Sequence, residues 1–260
     1  MKISLIIPAH NEEKRILGTL KAYTDCLDRR VGRGGRDYEI LVVINNATDG
    51  TEAVVRRFSQ NRPGIRYLNL VRGGKGFAVM TGFKEALAGD AGLLGFVDAD
   101  MATPPRSFLD LIDNIGDAEA AIACRYMPGS RIEPRYSFRR TVVARCFNIL
   151  VRGLLDLPFR DTQCGAKLFK RAALAGIADK IGMSQWAFDV EVLYRLHKAG
   201  GRIREIPTCW IDVAGSKLKL GSASLGMFFA VVRLRVEMSI LRVFLKPLEP
   251  VLGTIRRMFR

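Results

Sequence analysis

Short apolar runs alternate with polar, helix-like segments along the first half of this 260-residue chain. Each run ends at turn residues, which is typical of a buried strand. Five strands are predicted, at Lys2–Ile7, Tyr38–Ile44, Ile65–Leu70, Leu93–Val97 and Glu119–Cys124. Asn11 is predicted to cap the first helix, with Glu12 and Glu13 in its first turn. Strands and helices that alternate at this spacing predict an α/β fold with a mostly parallel sheet.

Polar clusters follow the ends of four of these predicted strands. In chain order they are PAHNEE, NNATDG, RGGKG and DAD. In an open parallel sheet, ligands bind in the crevice outside the carboxyl ends of the strands. We therefore expect the four clusters to meet at one binding site.

The DAD cluster places Asp98 and Asp100 directly after an apolar strand. Two carboxylates with this spacing can approach one crevice, and hard oxygen ligands suit Mg²⁺ or Mn²⁺. Such an ion would neutralise a diphosphate that the acids alone would repel. The alternative is two ordinary loop acids, one of which caps the next helix.

The RGGKG cluster resembles a phosphate-binding loop but matches neither of the two common motifs. Gly76 follows Lys75 where a Walker motif needs Ser or Thr, and Val79 stands where a Rossmann motif needs its last glycine. An NTPase and a dehydrogenase are therefore unsupported. Glycines at a helix start beside Lys75 still favour an anion, although a plain turn is the alternative.

The second half of the chain has a less regular pattern. Helical periodicity covers Phe138–Leu155 and Trp186–Lys198, and Thr162–Phe169 is typical of a short strand preceded by turn residues. Two more strands are predicted at Arg202–Ile206 and Thr208–Val213. From residue 224 an apolar stretch with spaced arginines fits a helix in a membrane interface, or a helix packed on the domain.

The net charge of +15 lies entirely in the second half. Residues 1–124 carry 16 basic and 16 acidic side chains, so 25 basic and 10 acidic ones fall in residues 125–260. This asymmetry predicts an anionic partner: nucleic acid, an acidic membrane or a phosphorylated substrate. Arginine, which binds phosphate bidentately, is dense between residues 125 and 145.

Several classes of protein are disfavoured. The two histidines are too few for a zinc site, and no GxSxG motif supports a serine hydrolase. A general base would therefore be a carboxylate, with Asp189 and Glu191 as candidates in a segment that otherwise fits a plain amphipathic helix. Five scattered cysteines fit a reduced cytosolic chain. The longest uncharged stretch near the C-terminus, Leu220–Val232, has 13 residues against the ~20 that a spanning helix needs.

The motifs taken together resemble a known family. IIPAHNEE, NNATDGT, GGKG, DAD, DTQCGAKLF and WAFDVE occur in the order found in family 2 glycosyltransferases. The set is most similar to the polyprenyl-phosphate branch, which includes dolichyl-phosphate β-glucosyltransferases and mannosyltransferases. DADMATPP, DTQCGAKLF and AGSKLKL favour the glucosyl type. The resemblance covers roughly residues 2–235.

The resemblance implies a GT-A fold, a UDP- or GDP-sugar donor and a Mg²⁺ or Mn²⁺ cofactor. The residues that it assigns to the donor are Pro8, His10, Glu12, Asn46, Lys75, Asp98 and Lys217. Asp98 and Asp100 are the implied metal ligands, with Asp100 the more direct one. Asp189 falls where other members carry a base. The residues that match acceptor-phosphate positions are Arg125, Arg139 and Arg140.

The sequence departs from the family pattern at three points. Asn45 and Asn46 stand where the family usually has two aspartates, which leaves the nucleotide preference open. Ala102 replaces a Gln that some members place after DAD, so one possible metal contact is missing. The transmembrane helices of some relatives have no counterpart in this sequence.

The sequence thus predicts an inverting, metal-dependent transfer of glucose or mannose from UDP or GDP to a polyprenyl or dolichyl phosphate. Residues 1–223 are expected to form the GT-A domain, divided into a nucleotide-sugar half (1–124) and an acceptor half (125–223). Residues 224–260 are expected to be an amphipathic basic segment at the cytoplasmic, inner face of an anionic membrane. The alternatives are a transferase with a polysaccharide or small-molecule hydroxyl acceptor and, more remotely, a basic nucleic-acid-binding protein. The latter is disfavoured because no basic stripe interleaved with aromatics occurs.

Overall fold

The computed structural model describes residues 1–32, 34–60, 62–134, 138–182, 187–211 and 230–236. The strands are β1 (Ile3–Ala9), β2 (Tyr38–Asn45), β3 (Ile65–Leu70), β4 (Leu93–Val97), β5 (Ala120–Cys124), β6 (Arg131–Glu133), β7 (Ala166–Lys170), β8 (Ile203–Pro207) and β9 (Cys209–Ile211). The helices are α1 (Ile16–Arg30), α2 (Thr51–Ser59), α3 (Lys75–Ala88), α4 (Pro105–Asn114), α5 (Phe138–Leu155), α6 (Arg171–Ala178) and α7 (Phe188–Lys198).

Within the described part of the chain, seven strands form one mixed sheet in the order β3-β2-β1-β4-β7-β5-β8. β1 pairs in parallel with β2 and β4, and β3 extends the parallel array from β2. β7 runs antiparallel to both of its neighbours, β4 and β5. The predicted α/β class with a mostly parallel sheet is confirmed. β6 and β9 form a separate two-stranded parallel sheet.

Helices cover both faces of the large sheet, which explains why its strands are continuous apolar runs rather than alternating ones. Phe96 points into the core formed with α3, α6 and α7, where it contacts Phe83 and Phe188 edge-on. Its neighbour Val97 points into the opposite core, which includes Tyr23 of α1 and the α4 side chains. The carboxyl end of β4 is therefore packed on both faces of the sheet.

The first helix begins later than the sequence predicts. α1 starts at Ile16, with Arg15 as its cap residue, so the prediction that Asn11 caps this helix was wrong. Asn11 instead has a positive φ of 54°, and its Oδ1 accepts a hydrogen bond of 2.8 Å from the backbone N–H of Thr48. This hydrogen bond joins the loop after β1 to the loop after β2.

The reversed strand β7 brings a second segment to the same edge of the sheet. Ala166, at its start, pairs with Val97, at the end of β4. Residues 161–165 therefore lie against the DAD turn, far from where a parallel strand would begin.

The C-terminal region is described only at residues 230–236, which are helical. Val231 and Leu234 are buried in the core shared with α7, while Arg233 and Arg235 are exposed. This segment packs on the domain as an amphipathic helix. Across the described ranges, no helix is long and apolar enough to cross a membrane. The proposed division at residues 223 and 224 stays a prediction.

Candidate active site

The two acids of DAD leave β4 through a tight turn. Asp100 Oδ1 accepts a 3.0 Å hydrogen bond from the backbone N–H of Ala102, and Met101 adopts a positive φ of 63°. This local bond occupies one carboxylate oxygen of Asp100. Asp98 keeps a side-chain exposure of 24%, so its carboxylate remains accessible to solvent.

Two side chains of helix α1 hydrogen-bond to the backbone of the DAD turn and the loop after it. Thr19 Oγ1 donates a 2.7 Å hydrogen bond to the carbonyl oxygen of Ala99, and Tyr23 OH donates one of the same length to that of Thr103. Both side chains are buried. These bonds join α1 to the loop that carries both acids, so the position of the carboxylates depends on the packing of α1.

Four charged side chains alternate in sign at the end of β4, and we call them the ion cluster: Asp98, Lys75, Asp189 and Lys167. Lys75 Nζ lies 2.6 Å from Asp98 Oδ1 and 3.9 Å from Asp189 Oδ2. Lys167 Nζ lies 2.6 Å from Asp189 Oδ1 and donates a 2.7 Å hydrogen bond to the carbonyl of Cys164. Lys167 is completely buried, whereas the Lys75 side chain is 37% exposed. The cluster is therefore open to a ligand at its Lys75 and Asp98 end.

Burial and neighbouring charges shift the pKa values of this open end. Burial raises the pKa of Asp98; the ammonium of Lys75 opposes the shift, and the charges of Asp100 and Asp189 add to it. Burial would lower the pKa of Lys75, but the carboxylates of Asp98 and Asp189 outweigh it, and the net shift is upward. Lys75 is therefore a firmly charged cation. The face of Phe96 lies under it, with the ammonium 5.5 Å from the ring centroid.

Gly165 makes room for the Asp98 carboxylate. A Cβ atom at this position would lie 2.0 Å from Asp98 Oδ2. No side chain larger than hydrogen fits there while Asp98 keeps its orientation. The motif DTQCGAKLF thus contributes to the site through its backbone at Gly165 and through Lys167.

Arg125, predicted to hold the acceptor phosphate, lies in a closed pair with Asp161. Its Nε and Nη2 donate to the two carboxylate oxygens over 2.7 and 2.9 Å, and its backbone N–H donates to Asp161 over 3.0 Å. Asp161 is fully buried, and the guanidinium stacks over Trp210 at 4.8 Å. Burial would raise the pKa of Asp161, but the Arg125 guanidinium lowers it below the usual range.

The loop after β1 supplies the other predicted donor residues. Pro8 is buried within β1, whereas His10 and Asn46 are exposed at the strand ends. Glu12 accepts two hydrogen bonds from Arg15, at 2.7 and 2.8 Å, and this contact raises the pKa of Arg15. The Glu12 carboxylate is thus held in place but already engaged.

The structure brings Lys75, Asp98, Asp100 and Asp189 together at one edge of the sheet. Arg139 and Arg140 belong to α5, and their side chains lie outside the described part. Lys217 lies outside the described residues altogether. Their assigned roles stay predictions.

Sequence reasoning missed three residues that shape this site. Gly165, Lys167 and Asp161 all lie in DTQCGAKLF, which served only as a family signature. A lysine inside an apolar strand was the available signal, because a fully buried lysine needs a charged partner. No pattern in the sequence indicates that the partner is Asp189.

The fold and the acidic pair at the end of β4 define a GT-A type of glycosyltransferase, and comparison with known proteins agrees. The family described as "Glycosyl transferase family 2" matches residues 4–177. The chain therefore belongs to glycosyltransferase family 2 and is a nucleotide-sugar hexosyltransferase.

Curated proteins similar to this chain are also named as glycosyltransferases. It is 32% identical to a dolichyl-phosphate β-glucosyltransferase of Dictyostelium discoideum, over 90% of this chain and 73% of that protein. Identity to the glycosyltransferase AglD of Haloferax volcanii is also 32%, over 90% of this chain, but the match spans only 37% of AglD.

Solved structures support the fold. A glucosyl-3-phosphoglycerate synthase of Mycobacterium tuberculosis in complex with UDP superposes with a TM-score of 0.64 at 19% identity, over 90% of this chain and 80% of that one. The mannosyltransferase PcManGT of Pyrobaculum calidifontis, in complex with GDP-mannose and Mn²⁺, gives 0.60 at 19% identity, over 88% and 63%. At this identity the likeness establishes the GT-A-like fold.

The donor set at the end of β4 fits a divalent cation of the Mg²⁺ or Mn²⁺ type. Among the described residues, no three His, Cys, Asp or Glu side chains cluster closely enough to hold an ion alone. Mg²⁺ does not need such a cage, because it usually keeps several waters and binds one or two carboxylates plus substrate phosphates. Asp98 and Asp100 are the residues that would supply those carboxylates. The ammonium of Lys75 already marks Asp98 Oδ1 as a cation-binding atom.

Proposed function

We propose that this enzyme transfers a hexose, glucose in the first instance, from a UDP- or GDP-sugar to a polyprenyl phosphate of the dolichyl type, with inversion at the anomeric carbon. The observation that carries the proposal is the open end of the ion cluster, where Lys75 pairs with Asp98, two residues before Asp100, and both paired side chains remain partly exposed. The names of the relatives at about 32% identity support the lipid acceptor.

Acidic and basic side chains would have different roles in binding the donor. Asp98 and Asp100 would hold the cation, which would neutralise charge on the diphosphate leaving group. Lys75, charged and partly exposed, would contact a diphosphate oxygen directly, where negative charge develops as the sugar departs. His10 and Asn46, exposed at the ends of β1 and β2, would line the nucleoside.

The surroundings of Asp189 favour a phosphate acceptor. Lys167 binds one oxygen of Asp189 at 2.6 Å, and Lys75 lies 3.9 Å from the other. Each carboxylate oxygen of Asp189 therefore has an ammonium group beside it, which leaves less of the carboxylate available to a hydroxyl acceptor. A phosphate acceptor is already ionised at neutral pH and needs no base, whereas a hydroxyl acceptor does.

A hydroxyl acceptor is the second candidate, and the Arg125–Asp161 pair favours it. Arg125 was expected to bind the acceptor phosphate, yet its Nε and Nη2 groups both donate hydrogen bonds to the Asp161 carboxylate. In that case Asp189 would be the base, and Asp189→Asn would abolish transfer. With a phosphate acceptor the same variant would lose much less activity.

The same proposal locates the enzyme at the cytoplasmic face of a membrane, as a peripheral protein. α5 exposes Val143 (42%), Cys146 and Ile149 (67%), a row at three-residue spacing along about 1.7 turns of the helix. Arg145 and Arg152 are also exposed on this helix. An apolar stripe flanked by arginines suits the interface of an anionic bilayer.

An acceptor panel tests the proposed function. Labelled UDP-glucose and GDP-mannose are incubated with Mn²⁺ and either dolichyl phosphate, dolichol or a soluble sugar, and the products are separated by solvent extraction. We expect transfer to dolichyl phosphate alone, and loss of about 10³-fold in Asp100→Asn. Asp90→Asn, at the opposite end of β4 with 76% side-chain exposure, is the matched control and should retain activity. Transfer only to a hydroxyl would support the second candidate.

Flotation with liposomes tests the membrane proposal separately. The protein should float with vesicles containing phosphatidylglycerol at low salt and less at high salt, because charge attraction is screened. Ile149→Glu should weaken flotation without changing the melting temperature, since the side chain is exposed. Equal flotation of wild type and variant would contradict a contact through α5.

A further inference from the structure

Asn45 joins three loops at the edge of the sheet. Its Nδ2 donates a 3.1 Å hydrogen bond to the carbonyl of Ala9, at the end of β1, and its Oδ1 accepts one of 3.1 Å from the N–H of Gly74. Its own carbonyl accepts a 2.9 Å hydrogen bond from His10 Nδ1. The residue is 4% exposed. All of these bonds involve backbone groups or a neighbouring ring within the site loops.

The contacts require an amide at this position. The Ala9 carbonyl can only accept, and the Gly74 N–H can only donate, so the two ends of the Asn45 amide cannot be exchanged. An aspartate would place a carboxylate oxygen against the Ala9 carbonyl, and two acceptors repel. An alanine would leave the Gly74 N–H and the Ala9 carbonyl without this partner.

The bond to Gly74 acts directly on the start of α3. Gly74 has φ 123° and ψ 125°, a conformation that residues with a side chain rarely adopt, and Lys75 is the first residue of the helix. The Lys75 ammonium then reaches Asp98 at 2.6 Å. A shift of Gly74 would therefore move the cation at the open end of the ion cluster.

We propose that Asn45 is a positioning residue for Lys75: through Gly74 it places the Lys75 ammonium at Asp98, and it does not contact the nucleobase. Its side chain is buried, and both ends of its amide are in use. A change at Asn45 therefore weakens the binding of every donor equally. A residue that reads the base would instead change the preference between uracil and guanine.

The first experiment needs no ligand. The full-length protein is treated briefly with acetic anhydride, and acetylation of Lys75 is compared by mass spectrometry with that of Lys84, an exposed lysine on the same helix. In Asn45→Asp and Asn45→Ala the Lys75/Lys84 ratio should rise about fivefold, the factor that one ordinary hydrogen bond provides. Asn69→Ala removes an exposed asparagine hydrogen bond on β3 and should leave the ratio unchanged. An unchanged ratio in the folded Asn45→Asp variant, which is nearly isosteric, would overturn the proposal.

The second experiment rests on the proposed function and uses UDP and GDP, each with Mn²⁺, in calorimetric titrations. Both Asn45 variants should bind each nucleotide about tenfold more weakly, with the ratio of the two affinities preserved. A changed ratio would assign Asn45 to the nucleobase and overturn the proposal. If wild type binds neither nucleotide, the donor assignment fails, while the acetylation ratio still decides the role of Asn45.

Discussion

The Arg125–Asp161 pair and the ion cluster both pair side chains of opposite charge, but they differ in burial and in how fully their hydrogen-bonding capacity is used. Asp161 accepts three bonds from Arg125 and a fourth from the N–H of Gln163, and it has no exposed surface. In the cluster, Lys75 and Asp98 meet through a single 2.6 Å contact and remain partly exposed. A closed pair has a structural role, whereas an open one can exchange a partner for a ligand.

Asp98→Asn should give the largest effect, and on activity rather than stability. It removes a proposed metal ligand, so we expect transfer to fall by about 10³-fold. The melting temperature should change little, because burial and the charges of Asp100 and Asp189 already disfavour the ionised Asp98. Steady-state rates and thermal unfolding of the same preparation measure both effects. A large loss of stability would mean that the cluster is a structural element like the closed pair.

Asp161→Asn should give the opposite result. Removing one partner of a buried ion pair costs about 3–5 kcal/mol of folding free energy, because the remaining charge is left uncompensated. Urea unfolding would measure the loss, and Asp117→Asn, in an ion pair whose partners are exposed, should leave the free energy of unfolding almost unchanged.

The closed pair also predicts a dependence on pH. The pKa of Asp161 is lowered in the folded protein, so its stabilising contribution is present above the unfolded value near 3.8 and is lost as the pH falls through the folded value. Asp161→Asn should lack this acid-dependent component. If both proteins lose stability in parallel below pH 4, Asp161 is not the group responsible.

Gly165→Ala should have a smaller effect than Asp98→Asn or Asp161→Asn. It tests the open end of the ion cluster without removing any of its charges. The added Cβ would lie 2.0 Å from Asp98 Oδ2, so the carboxylate must turn away. We expect Mn²⁺ affinity in the presence of UDP to fall by roughly 10-fold or more, in the range seen when groups that orient metal ligands are altered. Gly153→Ala, where a Cβ meets nothing within 4 Å, is the matched control. Unchanged Mn²⁺ affinity would show that the orientation of Asp98 does not matter.

Much of the fold and several residues of the site were predictable, because the sequence patterns that indicate them are local. Strands buried on both faces are continuous apolar runs, so β2 to β5 were located to within one residue and β1 to within two. Parallel strands end at one edge of the sheet, which is why Lys75, Asp98 and Asp100 could be expected together. The start of α1 was missed because a bond between Asn11 and Thr48, 37 residues apart in sequence, replaced the expected cap.

The sequence by itself determined the α/β class, the acids after β4 and the concentration of positive charge in the second half, since each follows from residue type and short-range periodicity. Only the tertiary structure decided what those residues contact. The reversal of β7 between β4 and β5 places Gly165 against Asp98 and lets Lys167 meet Asp189, 22 residues further along the chain. The tertiary structure also shows that Arg125 is paired with the buried Asp161. Charged side chains pair with the opposite charges that lie closest in the folded molecule. Those distances depend on the order of the strands in the sheet, which a local sequence pattern does not determine.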